Sequence, residues 1–452
     1  MPAANIKKLY GWGHAPVAQC NTWRPEKLRD IRSIFDAHKT PLIARGLGRS
    51  YGDASLQPTG VICTSRLNHF IEFDSTQGII RAQAGVSLSD VMNISIPKGW
   101  IPPVIPGTRH VTLGGCFACN VHGKNHFREG EFAEHVLSIK LMMADGKTIE
   151  CSAENHADLF WATAGGMGMT GILEEVTLKL KPITSASLST TTYKVNTLHD
   201  MIAAFEHYRD SADYMVGWID HASKGNDLGR GVFEAANHIP SGSSSKTLTK
   251  YIPATTTLTI PVFAPSLLLN PLVMKFYNQW RFKRFSHERT QEMVDFNNFF
   301  HPLDQLGDWY KLYGKRGFFQ YQCLIPESPS VSAKIQEILS LIHEHKLFSF
   351  LAVLKYHRDG KGYITFSKQG YSLALDFPNT PQVRNFLPVL NRYVSELGGR
   401  VYLAKDALLT AEDFSRMYGK SASDWQDILH EVDLHGRFSS LMSERLQWKK
   451  IG

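Results

Sequence analysis

Three glycine-dense segments lie within about 130 residues in the first part of this chain, and short strand-like runs separate them. They read ARGLGRSYGD (residues 44–53), PGTRHVTLGGCFACNVHGKNH (106–126) and GGMGMTGI (165–172). Glycine adopts positive φ without strain, and successive amides in glycine turns form concave groups that bind anions. One such turn is weak evidence. Three of them among short strands predict several loops that wrap an extended ligand carrying a diphosphate.

The segments between these turns alternate between strand and helix patterns. The strand-like runs are PLIA before Gly46, GVICTS, GIIRAQAGV, GILEEVTLKLKP and the hairpin HVLSIKLMMADGKTIEC, whose turn is Ala144-Asp145-Gly146. The predicted helices are RPEKLRDIRSIFDAHK, SLSDVMNISIPKG and ADLFWATAGG. After Pro182 the composition changes, and the strand-like run SASLSTTTYKV is rich in serine and threonine. We expect this run to begin a second domain.

The later part of the chain predicts further strands at GFFQYQCLIP, SFLAVLKYH and YSLALDFP. Helices are predicted at SAKIQEILSLIHEHK, VRNFLPVLNRYVSELGG and in the tail AEDFSRMYGKSASDWQDILHEVD. At 452 residues the chain is long enough for two to three domains.

Two short motifs compete with the interpretation of the glycine turns. Residues 166–171 match GxGxxG, but a Rossmann site follows a strand and opens a helix, whereas this motif follows a helix and opens a strand. Residues 48–52 match GxSxG, but a loop and then a strand follow Gly52, not the helix of a nucleophile elbow. We therefore expect neither a nicotinamide site nor a serine hydrolase.

A cluster of zinc-type ligands, Cys116, Cys119, His122 and His126, lies in the second glycine segment. The spacing is cramped for one tetrahedral ion, and zinc modules separate their ligand pairs by a longer loop. Small residues beside paired glycines are better explained by a backbone that passes close to a ligand. We expect no metal.

Charge and composition limit the partners and the compartment. The net charge is +7, from 49 basic and 42 acidic residues without a basic tail, so no nucleic-acid partner is expected. The first residues lack a signal-peptide pattern, and no run of about 20 apolar residues predicts a membrane span. Six cysteines without a disulfide pattern fit a reducing cytosol, so we expect a cytoplasmic protein.

The chain resembles the FAD-linked oxidases of the vanillyl-alcohol-oxidase, or p-cresol methylhydroxylase (PCMH), type. The resemblance rests on ARGLGRSYGD, PGTRHVTLGG, HGKNH, LFWATAGGMGMTGI, HPLDQLGDW, GFFQYQCLIP, LDFP and YLAKD, and it runs over almost the whole chain. It implies an α+β, two-domain fold. An FAD-binding domain would comprise residues 1–184 and the returning segment 400–452, and an antiparallel-sheet substrate domain would comprise residues 185–399.

The resemblance also implies which residues hold FAD. The first loop, with backbone amides from Gly46 to Asp53 around the pyrophosphate, would comprise Ala44, Arg45, Gly46, Leu47, Gly48, Arg49, Ser50, Tyr51, Gly52 and Asp53. The flavin would be lined by Gly107, Thr112, Gly114, Gly115, Cys119, Asn120, His122, Ile172 and Tyr402. Relatives that tether FAD covalently do so through a histidine in the first loop. This loop has none, so we expect non-covalent FAD.

The substrate residues implied by the resemblance are Lys124, Trp218, Tyr313, Gln320, Gln322, Lys355 and Ala374, with Lys405, Tyr51 and His122 as catalytic residues. Lysines suit a phosphate, and glutamines suit sugar hydroxyls. The sequence departs from the mycobacterial pattern at Ala374, where a cysteine is familiar, and at Ser372, where an asparagine is familiar.

The activity that the resemblance implies is oxidation of a secondary hydroxyl on a ribose-like sugar linked to polyprenyl phosphate. A hydride would pass to flavin N5 while Lys405, or Tyr51 in second place, takes the hydroxyl proton. A separate short-chain reductase would complete an epimerisation, and quinone or oxygen would reoxidise the flavin. The alternatives are a soluble alditol or aldonolactone oxidase and a non-catalytic protein that kept the fold.

The segment from Tyr251 to Arg289 differs from the rest of the chain. Its first half is apolar and broken by prolines, and its second half, KFYNQWRFKRFSHER, mixes aromatic rings with cations. Such a mixture suits a membrane interface, although it also suits packing on the same domain or on a second subunit. We expect a flap that touches the inner face of a membrane peripherally.

Overall fold

The computed structural model describes residues 4–223, 225–240, 251, 256, 258–265 and 271–449. Part of the proline-broken half of the 251–289 segment, residues 252–255, 257 and 266–270, lies outside the described residues.

Two sheets and a small pair of strands form the N-terminal part. The strands are β1 (Asn5–Tyr10), β2 (Val17–Trp23), β3 (Ile43–Arg45), β4 (Val61–Cys63), β5 (Phe70–Asp74), β6 (Ile79–Gln83), β7 (Trp100–Ile101), β8 (Val136–Met142), β9 (Thr148–Cys151), β10 (Ile172–Lys179) and β11 (Lys181–Pro182). The first sheet has the order β1-β2-β4-β3, the second has the order β5-β6-β10-β8-β9, and β7 pairs with β11. The β8–β9 hairpin and its turn are as predicted, whereas β1, β2 and β5 were not predicted.

The larger sheet lies in the middle of the chain. The strands of this region are β12 (Ser187–Val195), β13 (Tyr214–Ile219), β14 (Gly231–His238), β15 (Leu258–Thr259), β16 (Thr290–Asp295), β17 (Leu306–Gly307), β18 (Phe318–Pro326), β19 (Ala352–His357), β20 (Gly370–Pro378) and β21 (Arg400–Val401). The larger sheet has the order β16-β12-β14-β13-β19-β20-β18-β21 and is antiparallel, while β15 and β17 form a separate parallel pair. The α+β class expected from the sequence is confirmed.

The helices are α1 (Leu28–Ala37), α2 (Leu88–Ser95), α3 (Leu113–Ala118), α4 (His126–Glu129), α5 (Ala157–Thr163), α6 (Leu198–Tyr208), α7 (Pro271–Lys283), α8 (Phe296–Phe300), α9 (Val331–Glu344), α10 (Pro381–Glu396), α11 (Ala411–Tyr418), α12 (Lys420–Val432) and α13 (Leu441–Arg445). Short 3₁₀ turns occur at Thr64–Arg66, Ile96–Lys98, Phe132–His135, Gly225–Asp227, Pro302–Gln305, Trp309–Tyr313 and Leu403–Lys405. Side-chain hydroxyl oxygens cap the N-termini of four helices: Ser87 caps α2, Thr112 caps α3, Thr380 caps α10 and Thr410 caps α11.

One face of the larger sheet is apolar and is covered by α6, α9 and α10. The period-two alternation of β18 places Tyr321, Cys323 and Ile325 on that face, where they join the core with the buried residues of the three helices. The opposite face carries the polar members of the same strand, Gln320 and Gln322. This alternation fixes which face of the sheet can meet a polar ligand.

The C-terminal tail packs back on the N-terminal part. Trp425 of α12 donates its indole N–H to the Ala162 carbonyl at the end of α5, at 2.9 Å. Arg445 of α13 makes a bidentate pair with Asp53, at 2.9 and 2.8 Å, and a second ion pair with Asp406 at 2.9 Å. The end of the chain therefore fixes the first glycine loop in place.

Candidate active site

The polar face of the larger sheet gathers side chains from four strands, β13, β19, β20 and β18. In the register, Trp218 lies opposite Val353, Val353 opposite Ala374, and Ala374 opposite Gln322. Two residues further along the strand, on the same face, Asp376 lies opposite Gln320. Two residues from Ala374 in the other direction, Ser372 lies opposite Lys355. Directly opposed residues on one face of a sheet are neighbours, so most of the predicted substrate residues lie together.

Asp376 is the buried acceptor at one end of this face. It accepts hydrogen bonds from Gln320 Nε2 at 2.7 Å and from the Tyr313 hydroxyl at 3.1 Å. Burial raises the pKa of Asp376 to about 6, while these hydrogen bonds and the charge of Lys405 oppose the shift. The carboxylate is thus poised to respond to charges that appear beside it.

Lys405 lies in the 3₁₀ turn that follows β21, within the electrostatic reach of Asp376. Burial lowers the pKa of Lys405 to about 8, and the attraction of Asp376 limits the shift. An amine with a pKa near neutrality is a competent general base. This combination agrees with the catalytic role that the resemblance gives to Lys405.

Tyr51 reaches the same region from the first glycine loop. Its amide donates to the Ala404 carbonyl at 2.8 Å, and its ring packs edge-on against Phe318, with 5.6 Å between ring centres. Burial and the nearby Asp376 raise the pKa of the Tyr51 phenol well above its usual value. A phenol with a raised pKa donates hydrogen bonds and is a poor base, which favours Lys405 over Tyr51 as the proton acceptor.

His122 lies in the centre of the site, on the loop that follows α3. Its Nε2 is 3.2 Å from the amide nitrogen of Gln322, and its ring stacks on Phe366 with 5.6 Å between centres. Burial, followed by the charge of Lys355, lowers its pKa well below the usual value, so the imidazole is neutral. Lys355 in turn has its pKa lowered to about 7 by burial and by Lys405 and Lys124.

Lys124 lies two residues further along the same loop. Its ammonium donates to the Phe299 carbonyl at 2.7 Å, lies 3.8 Å from the centre of the Phe299 ring, and is 3.7 Å from Glu234. Burial lowers the pKa of Lys124, and Glu234 opposes the shift. The site thus contains three buried lysines, Lys124, Lys355 and Lys405.

The first glycine loop presents free backbone donors. Among the described residues, the amides of Leu47, Gly48, Arg49 and Ser50 donate no hydrogen bond. Gly48 adopts a positive φ of 65°, the left-handed conformation that glycine favours. A row of free amides beside a glycine at positive φ matches a diphosphate cradle.

Side chains of the same loop hold it in place. Arg45 donates to Ser55 Oγ at 2.9 Å and to the Tyr10 carbonyl at 2.6 Å, and Arg49 donates to the His110 carbonyl at 3.1 Å. Ala44 lies within β3, and Gly52 packs so closely on the Asp406 carbonyl that an added Cβ would lie 1.9 Å from it. Asp53 is engaged with Arg445, so its side chain supports the loop.

The second glycine segment meets the first. An added Cβ on Gly46 would lie 2.3 Å from Thr112 Oγ1, which itself accepts from the Gly115 amide at 3.1 Å. Gly114 packs on Ala84, whereas a Cβ at Gly107 would meet nothing within 4 Å. The two glycine segments are therefore in close contact at Gly46, whereas the space beside Gly107 is open.

Cys119, at the end of α3, connects this junction to the larger sheet. Its sulfur is 3.6 Å from Ser50 Oγ, and its carbonyl accepts from the Tyr402 hydroxyl at 2.9 Å. The Tyr402 amide donates to the Gln322 carbonyl at 2.9 Å. The predicted cofactor residues Ser50, Cys119 and Tyr402 are therefore contiguous with the polar face.

Two predicted cofactor residues have other contacts. Asn120 bonds to Glu131 Oε2 at 2.7 Å and accepts from the Ala133 amide at 3.0 Å, so both ends of its side-chain amide have partners. Ile172, at the start of β10, is fully buried in the core that also contains Ile43. The structure does not bring the Ile172 side chain into the polar cluster, and its place in the pocket stays a prediction.

Neither the GxGxxG run nor the GxSxG run lies in the structural context that its motif requires. The GxGxxG run connects α5 to β10, with positive φ at Met167 and Gly168. That order, helix before strand, is the reverse of a Rossmann site. The GxSxG run lies in the loop between β3 and β4 and opens no helix. The absence of a metal stays a prediction.

Three residues of the site were missed at the sequence level: Asp376, Ser372 as a hydrogen-bonding group, and His357. The rings of His357 and His126 are 4.4 Å apart, and those of His357 and His122 are 4.8 Å apart. The alternation of β19 and β20 could have indicated them, because residues two apart in a strand lie on the same face. Asp376 and Ser372 lie two residues from Ala374, and His357 lies two residues from Lys355.

Helix α7 lies over one end of this face. The guanidinium of Arg281 is 4.5 Å from the centre of the Trp218 ring, and Tyr277 stacks on Phe350 with 5.9 Å between centres. Phe350 in turn contacts Tyr313, the partner of Asp376. Among the described residues, no helix has both the length and the apolar character to cross a bilayer.

Comparison with known proteins agrees with this geometry. Residues 22–152 match the FAD binding domain family. The chain is 35% identical to decaprenylphosphoryl-β-D-ribose oxidase of Mycolicibacterium smegmatis, over 98% of this chain and 97% of that enzyme. The chain belongs to the PCMH-type family of FAD-linked oxidases. It is an FAD-dependent oxidoreductase, and the free amides of the first loop fit the cofactor.

More distant relatives cover a smaller part of the chain. A putative D-arabinono-1,4-lactone oxidase of Neurospora crassa is 26% identical over 39% of this chain and 33% of its own length. L-gulonolactone oxidase of Scyliorhinus torazame is 25% identical over 44% of each chain. The similarity to these oxidases is thus confined to less than half of the molecule.

Proposed function

We propose that this oxidoreductase oxidises a secondary hydroxyl of a ribose-like sugar carried on polyprenyl phosphate, giving the keto-sugar. The observation that carries the proposal is the polar sheet face on which Asp376 lies opposite Gln320, with Gln322 and Lys355 beside them and Lys405 close enough for its charge to act on Asp376. The similarity to decaprenylphosphoryl-β-D-ribose oxidase over nearly the whole chain supports this substrate class.

The residues divide the chemistry between them. When bound, FAD would supply the acceptor for the hydride that leaves the substrate carbon. Neutral Lys405 takes the hydroxyl proton as the C=O bond forms, and Asp376 stabilises the resulting ammonium. Tyr51 and neutral His122 donate hydrogen bonds to substrate oxygens. Gln320 and Gln322 orient the ring, with Trp218 and Tyr313 as walls, and Ala374 leaves space between them.

The lysines explain why an anionic substrate is expected. Burial lowers the pKa of all three, Lys124, Lys355 and Lys405, and the charges of Lys405 and Lys124 lower the pKa of Lys355 further. A phosphate placed among them would relieve this repulsion and form charge-assisted hydrogen bonds. A neutral alditol or lactone would not, and this difference favours the phosphate-linked sugar over the alternative oxidases.

The cofactor assignment and the domain division complete the proposal. The loop 44–53 holds the pyrophosphate, and Gly107, Thr112, Gly114, Gly115, Cys119, Asn120, His122, Ile172 and Tyr402 surround the flavin. Residues 1–184 with 400–452 form the FAD-binding domain, and residues 185–399 form the substrate domain. A short-chain reductase would consume the keto-sugar, quinone or oxygen would reoxidise the flavin, and α7 would contact the inner face of a membrane.

Anaerobic bleaching of the flavin tests the substrate class. The purified holoenzyme is mixed with polyprenyl-phosphate-linked ribose and arabinose, with free alditols, and with aldonolactones, and loss of the oxidised flavin absorbance is followed. We expect fast bleaching by the phosphate-linked ribose. Bleaching by alditols or lactones alone would replace the proposal with the oxygen-using oxidases, and a colourless protein would contradict it altogether.

A further inference from the structure

A continuous chain of polar side chains crosses the buried side of the candidate active site. The amide nitrogen of Gln322 lies 3.2 Å from His122 Nε2 and 3.1 Å from Ser372 Oγ. Ser372 Oγ is also 2.8 Å from His357 Nε2, and His357 Nδ1 is 3.2 Å from Ser367 Oγ. The hydroxyls and imidazoles in this series can each donate or accept a hydrogen bond. The direction of the hydrogen bond at one end therefore determines the direction of every other one.

The far end of this chain is a buried carboxylate, Glu131. It accepts hydrogen bonds from Asn120 Nδ2 at 2.7 Å and from Thr365 Oγ1 at 2.8 Å, and Ser367 lies near enough to favour its ionised form. An ionised carboxylate can only accept. The hydroxyl proton of Ser367 is therefore directed to Glu131, and Ser367 Oγ must accept from its other neighbour, His357.

The direction then follows link by link. His357 Nδ1–H donates to Ser367, which leaves His357 Nε2 as an acceptor for the hydroxyl proton of Ser372. Ser372 Oγ in turn accepts from the Gln322 amide, whose second N–H is directed at His122 Nε2. A neutral imidazole that accepts at Nε2 carries its proton on Nδ1. The two ends of the series are also joined through the main chain, because His122 and Glu131 pair in an antiparallel β-bridge.

We propose that Glu131 acts as a positioning residue: through Ser367, His357, Ser372 and Gln322, it holds His122 in the Nδ1–H tautomer. His122 then serves as a hydrogen-bond donor in the active site. It cannot accept the substrate proton at Nε2, because Gln322 occupies that nitrogen. This inference deepens the proposed function, since it removes His122 from the candidate bases and leaves the proton to Lys405.

The tautomer can be read directly and without substrate. Long-range ¹H–¹⁵N correlation spectra of the holoenzyme, labelled with ¹⁵N-histidine, distinguish Nδ1–H from Nε2–H, and His122→Asn assigns the signals. Spectra are recorded at about pH 8.5, because burial raises the pKa of Glu131 to about 7 and the carboxylate must be ionised. We expect Nδ1–H in the wild type. Signals from His221, which takes no part in this series of hydrogen bonds, serve as the internal reference.

Two variants test the relay itself. Glu131→Gln supplies a donor where the carboxylate only accepts, and Ser372→Ala removes one link; both should convert His122 to Nε2–H or to a mixture. Ser372→Thr, which keeps the hydroxyl, should restore Nδ1–H, and the surface variant Ser328→Ala is the matched control. Should Glu131→Gln fail to fold, Ser372→Ala alone decides.

Kinetics give the second measurement. Loss of one aligned neutral hydrogen bond, about 1 kcal/mol, should slow flavin reduction about fivefold in Ser372→Ala, with flavin content and KM unchanged. A wild-type His122 in the Nε2–H form, or an unchanged tautomer in both variants, overturns the proposal. The tautomer result does not depend on the substrate, so failure of the proposed function leaves this test intact.

Discussion

Gln320 and Asp376 face each other across β18 and β20, and Gln320 Nε2 donates to Asp376 Oδ1 at 2.7 Å. The Tyr313 hydroxyl donates to the other oxygen, Oδ2, at 3.1 Å, so each carboxylate oxygen has its own donor. The carboxylate is therefore held in one orientation, and its charge raises the pKa of Lys405.

Replacing Lys405 with alanine should leave the flavin bound and remove most substrate-driven reduction. General-base catalysis contributes about 10²- to 10⁴-fold, and the rate at saturating substrate should fall within that range. Anaerobic stopped-flow absorbance measures the rate, and the flavin-to-protein ratio of the variant is the control for folding. A variant that reduces its flavin at the wild-type rate would remove Lys405 from the mechanism.

The pH dependence of reduction should report the Lys405–Asp376 pair. A neutral amine is the active base, so the rate should rise as pH passes through the Lys405 pKa of about 8. Because Asp376 raises that pKa, Asp376→Asn should move the inflection to lower pH and also slow the reaction at its plateau. Glu337→Gln, at a carboxylate bonded to Tyr393 away from the polar face, is the control. An inflection that stays in place in Asp376→Asn would contradict the pairing.

The sequence pattern predicted the strands that carry Gln320, Gln322 and Lys355, whereas the family resemblance singled out the three residues themselves. Their common face follows from the pairing of the strands, which only the structure gives. Strands β1 and β2 were missed because polar residues interrupt their alternation. Asp376 lies in the LDFP motif that carried the family resemblance, yet only the register between β18 and β20 shows its partner.

Contacts between distant loops could not be predicted. The Tyr51 amide meets the Ala404 carbonyl, and Gly46 meets Thr112, because the whole fold brings these loops together. Local propensity carries no information on such pairs, and pattern alone did not place Lys405 in the site. The resemblance supplied Lys405, whereas the hydrogen-bonded chain from Glu131 to His122 became visible only with the side chains in place.

Arg445→Met should destabilise the molecule. The change leaves Asp53 and Asp406 buried without their cation, which costs about 3 kcal/mol. With an unfolding entropy of about 2.1 cal/mol/K per residue, a chain of this length should lose about 3 °C in melting temperature. Arg66→Met, which breaks an exposed pair with Glu26, should change it by less than about 1 °C. Equal effects of the two changes would contradict a supporting role for Arg445.

The flavin should be released without breaking a covalent bond. The first loop, from Ala44 to Asp53, contains no histidine, and the Cys119 thiol has a pKa raised by burial, which disfavours its reactive thiolate. Acid precipitation of the holoenzyme should leave FAD in the supernatant, where absorbance and mass spectrometry identify it. Yellow colour that stays with the protein pellet after washing would show a covalent link.

Helix α7 should bind an anionic membrane surface through its outward face. Val273, Phe276 and Trp280 recur at helical spacing on the exposed side, with Phe276 72% and Trp280 55% exposed, while Met274 and Asn278 face inward. Lys275, Arg281, Lys283 and Arg284 lie on the same helix and the turn after it. Aromatic rings flanked by cations partition to the headgroup region of bilayers with anionic lipid.

Flotation with vesicles tests this surface on the intact holoenzyme. Wild type should float with vesicles containing phosphatidylglycerol and much less with phosphatidylcholine alone, and added salt should weaken binding because it screens the cations. The double change Phe276→Ser and Trp280→Ser should reduce binding at least about tenfold, since each buried ring contributes about 1.5–3 kcal/mol. Val389→Ser, at an exposed apolar residue of α10, is the matched control and should float like wild type. Equal flotation of all three proteins would exclude this face as the membrane contact, and a dimer that dissociates only in the double variant would assign it to a second copy of the chain.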